Sequence, residues 1–210
     1  MENRLFAWWF ARYGGRNEAR GNARLRAELL AGVSGRVLEV GVGTGLNLPH
    51  YPAGVEQLTA AEPEPTMREK AAGAAARAPV PVRLVDAFAD ALPVEDSSQD
   101  AVVVSGLLCS VPDPVAALVE FRRVLRPGGE LRFYEHVRAR QPVRARFQDL
   151  SDHVWPRLMG GCHPNRRTLE TIRATGFEIE HVRDLIFPPG AKVSVVAPRI
   201  HGLARKPSAM

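Results

Sequence analysis

The segment Val37-Leu38-Glu39-Val40-Gly41-Val42-Gly43-Thr44-Gly45-Leu46-Asn47-Leu48 constrains the fold more than any other part of the chain. Val37 to Val40 is a short apolar run, the pattern of a strand buried in a parallel sheet. Three glycines at alternate positions then break it. Glycine lacks a Cβ and accepts φ > 0, so the backbone there can turn sharply and come close to a ligand. The pattern predicts a helix after the turn, with free N–H groups facing it. Such a strand–loop–helix unit suits a nucleotide, through either phosphate or carboxylate. The dinucleotide fingerprint Gly-x-Gly-x-x-Gly is not met, because Leu46 stands where its third glycine belongs.

The rest of the chain alternates strands and helices, as a parallel α/β sheet requires. Strands are expected at 57–61, 80–85, 100–105 and 130–137, and helices at about 64–77 and 115–125. The second strand ends at Glu62, 21 positions after Gly41. That is close to the spacing of roughly 20 residues at which an acid grips ribose hydroxyls. The third strand ends at Asp86. The fourth leads into Ser105 to Ser110, and a turn Arg126-Pro127-Gly128-Gly129 precedes the fifth, which carries Glu135 and His136. Two more strands are expected at 176–182 and 191–197. Ligands of open α/β sheets bind beyond the carboxyl ends of the strands, where these acids and glycines fall.

The Glu-x-Gly-x-Gly-x-Gly pattern at Glu39 to Gly45 resembles motif I of the class I S-adenosylmethionine-dependent methyltransferases, and Leu125-Arg126-Pro127-Gly128-Gly129 resembles their turn before strand five. Further pieces narrow the likeness: Leu107-Leu108-Cys109-Ser110-Val111, Phe133-Tyr134-Glu135-His136-Val137, Trp155, Gly160-Gly161-Cys162-His163-Pro164-Asn165-Arg166 and the tail Pro198-Arg199-Ile200-His201-Gly202-Leu203-Ala204. In this order they are similar to the type 11 group that includes the methyltransferase-like thiol S-methyltransferases of animals. Those proteins carry a long hydrophobic N-terminal anchor, and this chain has only a short aromatic stripe. The resemblance implies a Rossmann-like, seven-stranded, mostly parallel sheet with helices on both faces and two antiparallel closing strands. It implies S-adenosylmethionine as methyl donor, leaving as S-adenosylhomocysteine. Donor contacts would fall on Glu39, Gly41, Gly43, Gly45, Asn47, Glu62, Pro63, Asp86, Ala87 and Ser105, with Asp86 near the adenine amino group and the Ala87 N–H beside the ring. Residues 1–34 would form a helical lid, 35–137 the donor-binding core and 138–210 the acceptor-side helices and closing strands.

With 210 residues and a 45% hydrophobic fraction, the chain suits one domain with a full core. No apolar run reaches the roughly 18 residues that span a bilayer. Two cysteines imply no disulfide framework, and a cytoplasmic setting is expected. The net charge of +5 rests on scattered arginines, which reads as a solvated surface; no nucleic-acid partner is expected. Oligomeric state is not legible.

Near the start, Phe6, Trp9, Phe10 and Tyr13 share one helical face, followed by Gly14-Gly15 and a second helix over about 18–30. The stripe reads as cover for the sheet, as a lid over donor and acceptor, or as a membrane-surface contact. On the lid reading Phe10 and Tyr13, with Leu107, Cys109 and Trp155, line the acceptor pocket. His136 is the candidate base, since imidazole titrates near neutral pH; the alternative is a histidine that only positions its neighbours. No metal is expected, because Cys162, His153 and His163 lack paired ligand spacing. The expected reaction moves a methyl group to a small apolar molecule, foremost a thiol, whose pKa near 8.5 needs little lowering. O- or C-methylation of phenols or quinones, and a non-catalytic donor-binding module, are the alternatives.

Overall fold

A computed structural model gives the structure of the protein and describes Arg12 and residues 18–191 and 194–208. Seven strands form one sheet: β1 (Gly35–Val40), β2 (Val55–Ala61), β3 (Val82–Val85), β4 (Gln99–Ser105), β5 (Leu125–His136), β6 (Glu178–Ile186) and β7 (Pro198–Arg205). Their order is β3-β2-β1-β4-β5-β7-β6. The first five run parallel, and β7 is antiparallel to both β5 and β6. This is the architecture that the resemblance implies.

The central strands are apolar on both faces because each face carries its own core. Leu38, Val40, Val102 and Val104 point into one cluster, with Leu118, Phe121 and Val124 of the helix Pro114–Val124. Val37, Ala101 and Val103 point into the other, with Leu29 and Leu30 of the helix Ala23–Leu30 and Ala71 of the helix Pro65–Ala75. Local chemistry sets the helix starts. Asp113 accepts from the N–H groups of Val115 and Ala116, and Pro114 fills the first turn, where no N–H is needed.

Three expectations need correction. The glycine loop does not open an α-helix; it runs into a single 3-10 turn, Leu48–His50, before β2. Pro49 and Pro52 leave too little uninterrupted chain there for a longer helix. The seventh strand is Pro198–Arg205, not 191–197; the described residues of that stretch form a loop with a turn. The segment 18–30 is not one regular helix: Gly21, at φ 108, kinks it between a π turn and the helix Ala23–Leu30. Leu29 and Leu30 are core residues, so this helix covers the sheet. The aromatic stripe Phe6, Trp9, Phe10 and Tyr13 lies outside the described residues. Among the described residues, no helix is long and apolar enough to cross a membrane.

Candidate active site

The glycine loop leaves β1 at Gly41 and is held by its own neighbours. The N–H groups of Gly41 and Val42 donate to the Ala61 carbonyl at 2.9 and 3.1 Å. Gly43, at φ 58, donates its N–H to Glu62 Oε2 at 2.9 Å. The other Glu62 oxygen accepts from the Glu64 N–H at 3.0 Å. Two of the three glycines cannot carry a side chain for a second reason: a Cβ on Gly41 would lie 2.6 Å from Leu107 Cδ1, and one on Gly45 would lie 2.8 Å from Ala74 Cβ. Glu62 is 7% exposed, and burial raises its pKa against the pull of the two N–H groups. The carboxylate thus already grips the loop.

Glu39 is buried beneath that loop. It accepts from Asn47 Nδ2 at 2.8 Å and from the Tyr51 hydroxyl at 2.9 Å. Asn47 in turn accepts from Arg26 at 2.7 Å, and the same guanidinium nitrogen reaches Ser105 Oγ at 3.3 Å. One arginine of the first described helix therefore joins the glycine loop to the end of β4. On the far side of the loop, Arg68 donates to the carbonyls of Glu62 and Pro63 and pairs with the exposed Asp86 at 3.0 Å. Ala87 is buried beside it. All ten expected donor residues thus line one margin of the sheet. Arg26, Arg68 and Tyr51 were not legible as partners. Arg26 and Arg68 sit among many scattered arginines, and Tyr51 in a short proline-flanked turn.

Burial pushes Glu39 up to about 7 from its ordinary 4.5, against the pull of Tyr51, Asn47 and Arg26. The folded state then holds this proton more tightly than the unfolded one. Its contribution to stability is present below pH 4.5, declines as the pH rises, and is gone above about 7, a change of about 3 kcal/mol. Urea unfolding of wild type and Glu39→Gln from pH 4.5 to 8 should show wild type losing stability relative to the variant across that window. A stability difference that does not vary with pH would remove Glu39 as the titrating group.

The second half of the site forms where β4 and β5 end. Glu135 is fully buried and accepts from the N–H groups of Leu107 and Cys109 at 2.9 and 3.2 Å, fixing the turn that follows β4. Burial holds its pKa well above the ordinary carboxylate value. The loop 160–166 lies on that turn. A Cβ on Gly161 would stand 2.8 Å from the Ser110 carbonyl oxygen, the His163 N–H donates to the Cys109 carbonyl at 2.7 Å, and Arg166 donates to the Leu108 carbonyl at 2.6 Å. These contacts bring Cys162 against Cys109, Sγ to Sγ 3.7 Å. His136 Nδ1 lies 3.4 Å from Cys109 Sγ and 3.5 Å from Cys162 Sγ. Both cysteines are free thiols. The contact with Cys162, together with burial, pushes Cys109 up to about 12, while the Cys109 thiol lowers Cys162. The buried indole N–H of Trp155 has no hydrogen-bond partner of good geometry, and it sits near enough to Cys162 to help lower that thiol.

Of the expected acceptor-side residues, Leu107, Cys109, Trp155 and His136 therefore gather here, while Phe10 and Tyr13 lie outside the described residues. The sequence groups Cys162 with His153 and His163, but both histidines turn their Nδ1 to other partners. His163 Nδ1 faces Asp152 at 2.9 Å, and His153 Nδ1 faces the Asp149 carbonyl at 3.2 Å. Intervals of 27 and 26 residues between Cys109, His136 and Cys162 carry no motif, and only the fold brings them together.

Comparison with known proteins identifies the fold and the family. Residues 38–133 match the family described as methyltransferase domain. Thiol S-methyltransferase TMT1B of Mus musculus is 37% identical over 183 residues, covering 84% of this chain and 74% of the relative. A solved S-adenosylmethionine-dependent methyltransferase of Thermotoga maritima superposes with a TM-score of 0.66 at 23% identity, over 94% of this chain and 98% of its own. The [4+2]-cyclase SpnF superposes with a TM-score of 0.67 at 24% identity, over 91% and 82% of the two chains. Likeness at that level shows the fold and not the reaction.

Proposed function

The chain belongs to the type 11 group of class I S-adenosylmethionine-dependent methyltransferases, and from that premise we propose that the acceptor atom is the sulfur of a small apolar thiol. The enzyme uses S-adenosylmethionine as donor and a small molecule as acceptor. The observation that carries the thiol reading is the 37% identity, over most of both chains, to a thiol S-methyltransferase.

The site supports it. Glu39, the loop Gly41 to Gly45 with Asn47, and Glu62, Pro63, Asp86, Ala87 and Ser105 hold the donor, with Glu62 accepting ribose hydroxyls on the lone pairs that its two N–H contacts leave free. The sulfonium then faces the ends of β4 and β5, where Leu107, Cys109, Trp155 and His136 stand. Methyl transfer is an in-line displacement on an activated carbon, so the protein's work is positioning and exclusion of water. A thiolate is a strong nucleophile that needs no covalent help from the enzyme. Residues 35–137 bind the donor on this reading, and 138–210 shape the acceptor side. A chain with two cysteines and no disulfide framework suits a reducing, cytoplasmic setting.

Labelled donor offered with a thiol, a phenol, a quinone and an amine tests the acceptor. A labelled thioether is the expected product. Label on the phenol or quinone alone would replace the thiol with O- or C-methylation. Donor binding without any labelled product would make the chain a binding module.

A further inference from the structure

Cys109, His136 and Cys162 form the one three-ligand group of histidine, cysteine or carboxylate atoms found among the described residues. The geometry is specific. A tetrahedral Zn2+ holds thiolate sulfur at about 2.3 Å and imidazole nitrogen at about 2.0–2.1 Å, so its sulfurs stand about 3.8 Å apart and each sulfur about 3.5–3.6 Å from the nitrogen. Here the sulfur–sulfur edge is 3.7 Å and the two sulfur–nitrogen edges are 3.4 and 3.5 Å. Hydrogen bonding alone accounts poorly for this triangle. Nδ1 offers one proton or one lone pair, which serves one good hydrogen bond, yet it stands equally close to two sulfurs. A central cation places all three atoms at once.

The surroundings point the same way. Glu135 and the His163 N–H fix the backbone of Cys109. The Gly161 turn seats Cys162. The buried Trp155 N–H, otherwise without a partner, lies beside Cys162, where a metal-bound thiolate would accept from it. Two cysteines and one histidine are a known catalytic zinc set, in which the fourth position stays open for water or substrate. The cluster also lies on the acceptor side, next to Leu107, which packs against Gly41 of the donor loop.

We propose that Cys109, His136 and Cys162 bind Zn2+ and that the open fourth position takes the acceptor thiol. The second half of this statement rests on the thiol reading above; the three-ligand site does not. The thiol binds as thiolate and its proton passes to solvent. The sulfur lone pair forms the new S–CH3 bond while the bond from the methyl carbon to the sulfonium breaks. The breaking pair stays on the donor sulfur, which becomes the neutral thioether of S-adenosylhomocysteine. The methylated product is an uncharged thioether, outside the thiolate, imidazole and carboxylate set that zinc binds, so it leaves. No electron is gained or lost overall.

Co2+ is the probe. Wild-type protein stripped with a chelator under reducing conditions is titrated with Co2+, then with ethanethiol. One Co2+ per chain is expected, with thiolate charge-transfer bands and intense tetrahedral bands that ethanethiol shifts. Cys162→Ser should bind Co2+ more than about 100-fold more weakly, with unchanged affinity for S-adenosylmethionine as the check of folding. Absence of the charge-transfer bands in wild type would overturn the site. Bands that ethanethiol leaves unmoved would overturn the open position. Full thiol methylation by the stripped enzyme would overturn zinc and leave the thiol reading standing. Thiol-responsive bands without methylated ethanethiol or any other methylated thiol would leave the site standing and overturn the thiol reaction.

Discussion

Gly43→Val is expected to weaken binding of S-adenosylmethionine by about 100-fold or more, read by calorimetry. Two losses add. Gly43 holds φ 58, where a side chain costs about 1–2 kcal/mol, and β-branched valine is among the least tolerant. Its N–H also donates to the Glu62 carboxylate at 2.9 Å, a charged hydrogen bond of about 1.5–3 kcal/mol, and relief of the strain would turn that N–H away. Together they come to about 2.5–5 kcal/mol, which brackets the roughly 2.7 kcal/mol that a factor of 100 requires. The loop would also move the carboxylate that meets the ribose. Thermal melting separates loss of the loop from loss of the fold. A folded variant with unchanged affinity would remove the glycine loop from the donor site.

His136→Ala is expected to lower turnover by at least about 100-fold, since loss of a ligand costs no less than loss of a ligand's hydrogen-bond partner, and the pH dependence of that loss carries the information. If the imidazole removed the acceptor proton, the defect would shrink above the thiol pKa of about 8.5, where the acceptor ionises unaided. The loss is expected instead to persist at high pH, because Nδ1 is already directed at both cysteine sulfurs. Turnover measured from pH 6 to 10 decides between them. A defect that vanishes by pH 10 would restore the base and count against a ligand role.

The parallel half of the sheet was legible because its signals are local. Strands β1 to β4 are short apolar runs ended by an acid or a glycine, and Asp113-Pro114 marks a helix start by chemistry alone; β5 starts earlier than the expected 130, at Leu125, and takes in the Arg126–Gly129 segment read as the turn before it. The closing strand was misplaced for a physical reason. Residues 191–197 hold three valines and look like a strand, while Pro198–Arg205 holds proline, glycine and three positively chargeable side chains. What makes the latter a strand is tertiary: Gly202 sits where a Cβ would stand 2.5 Å from the His181 carbonyl oxygen and 2.7 Å from the Phe133 ring. Only a residue without a side chain fits between those neighbours. The glycine loop and Glu39 beneath it were legible through a compact motif. The Cys109–His136–Cys162 triangle was not, because it is assembled by two loops and a strand end far apart in sequence.

The place of β7 has a consequence for how the chain is made. A ribosome delivers β5 and then β6, yet these two strands do not touch; β7 lies between them and arrives last. Until residues 198–205 emerge, β6 has no sheet partner and one long edge of β5 stays unpaired. Unpaired edges recruit other chains. Sheet closure therefore waits for residues 198–205, and a chain stopped between residues 187 and 197 is expected to leave an edge of β5 open and to aggregate.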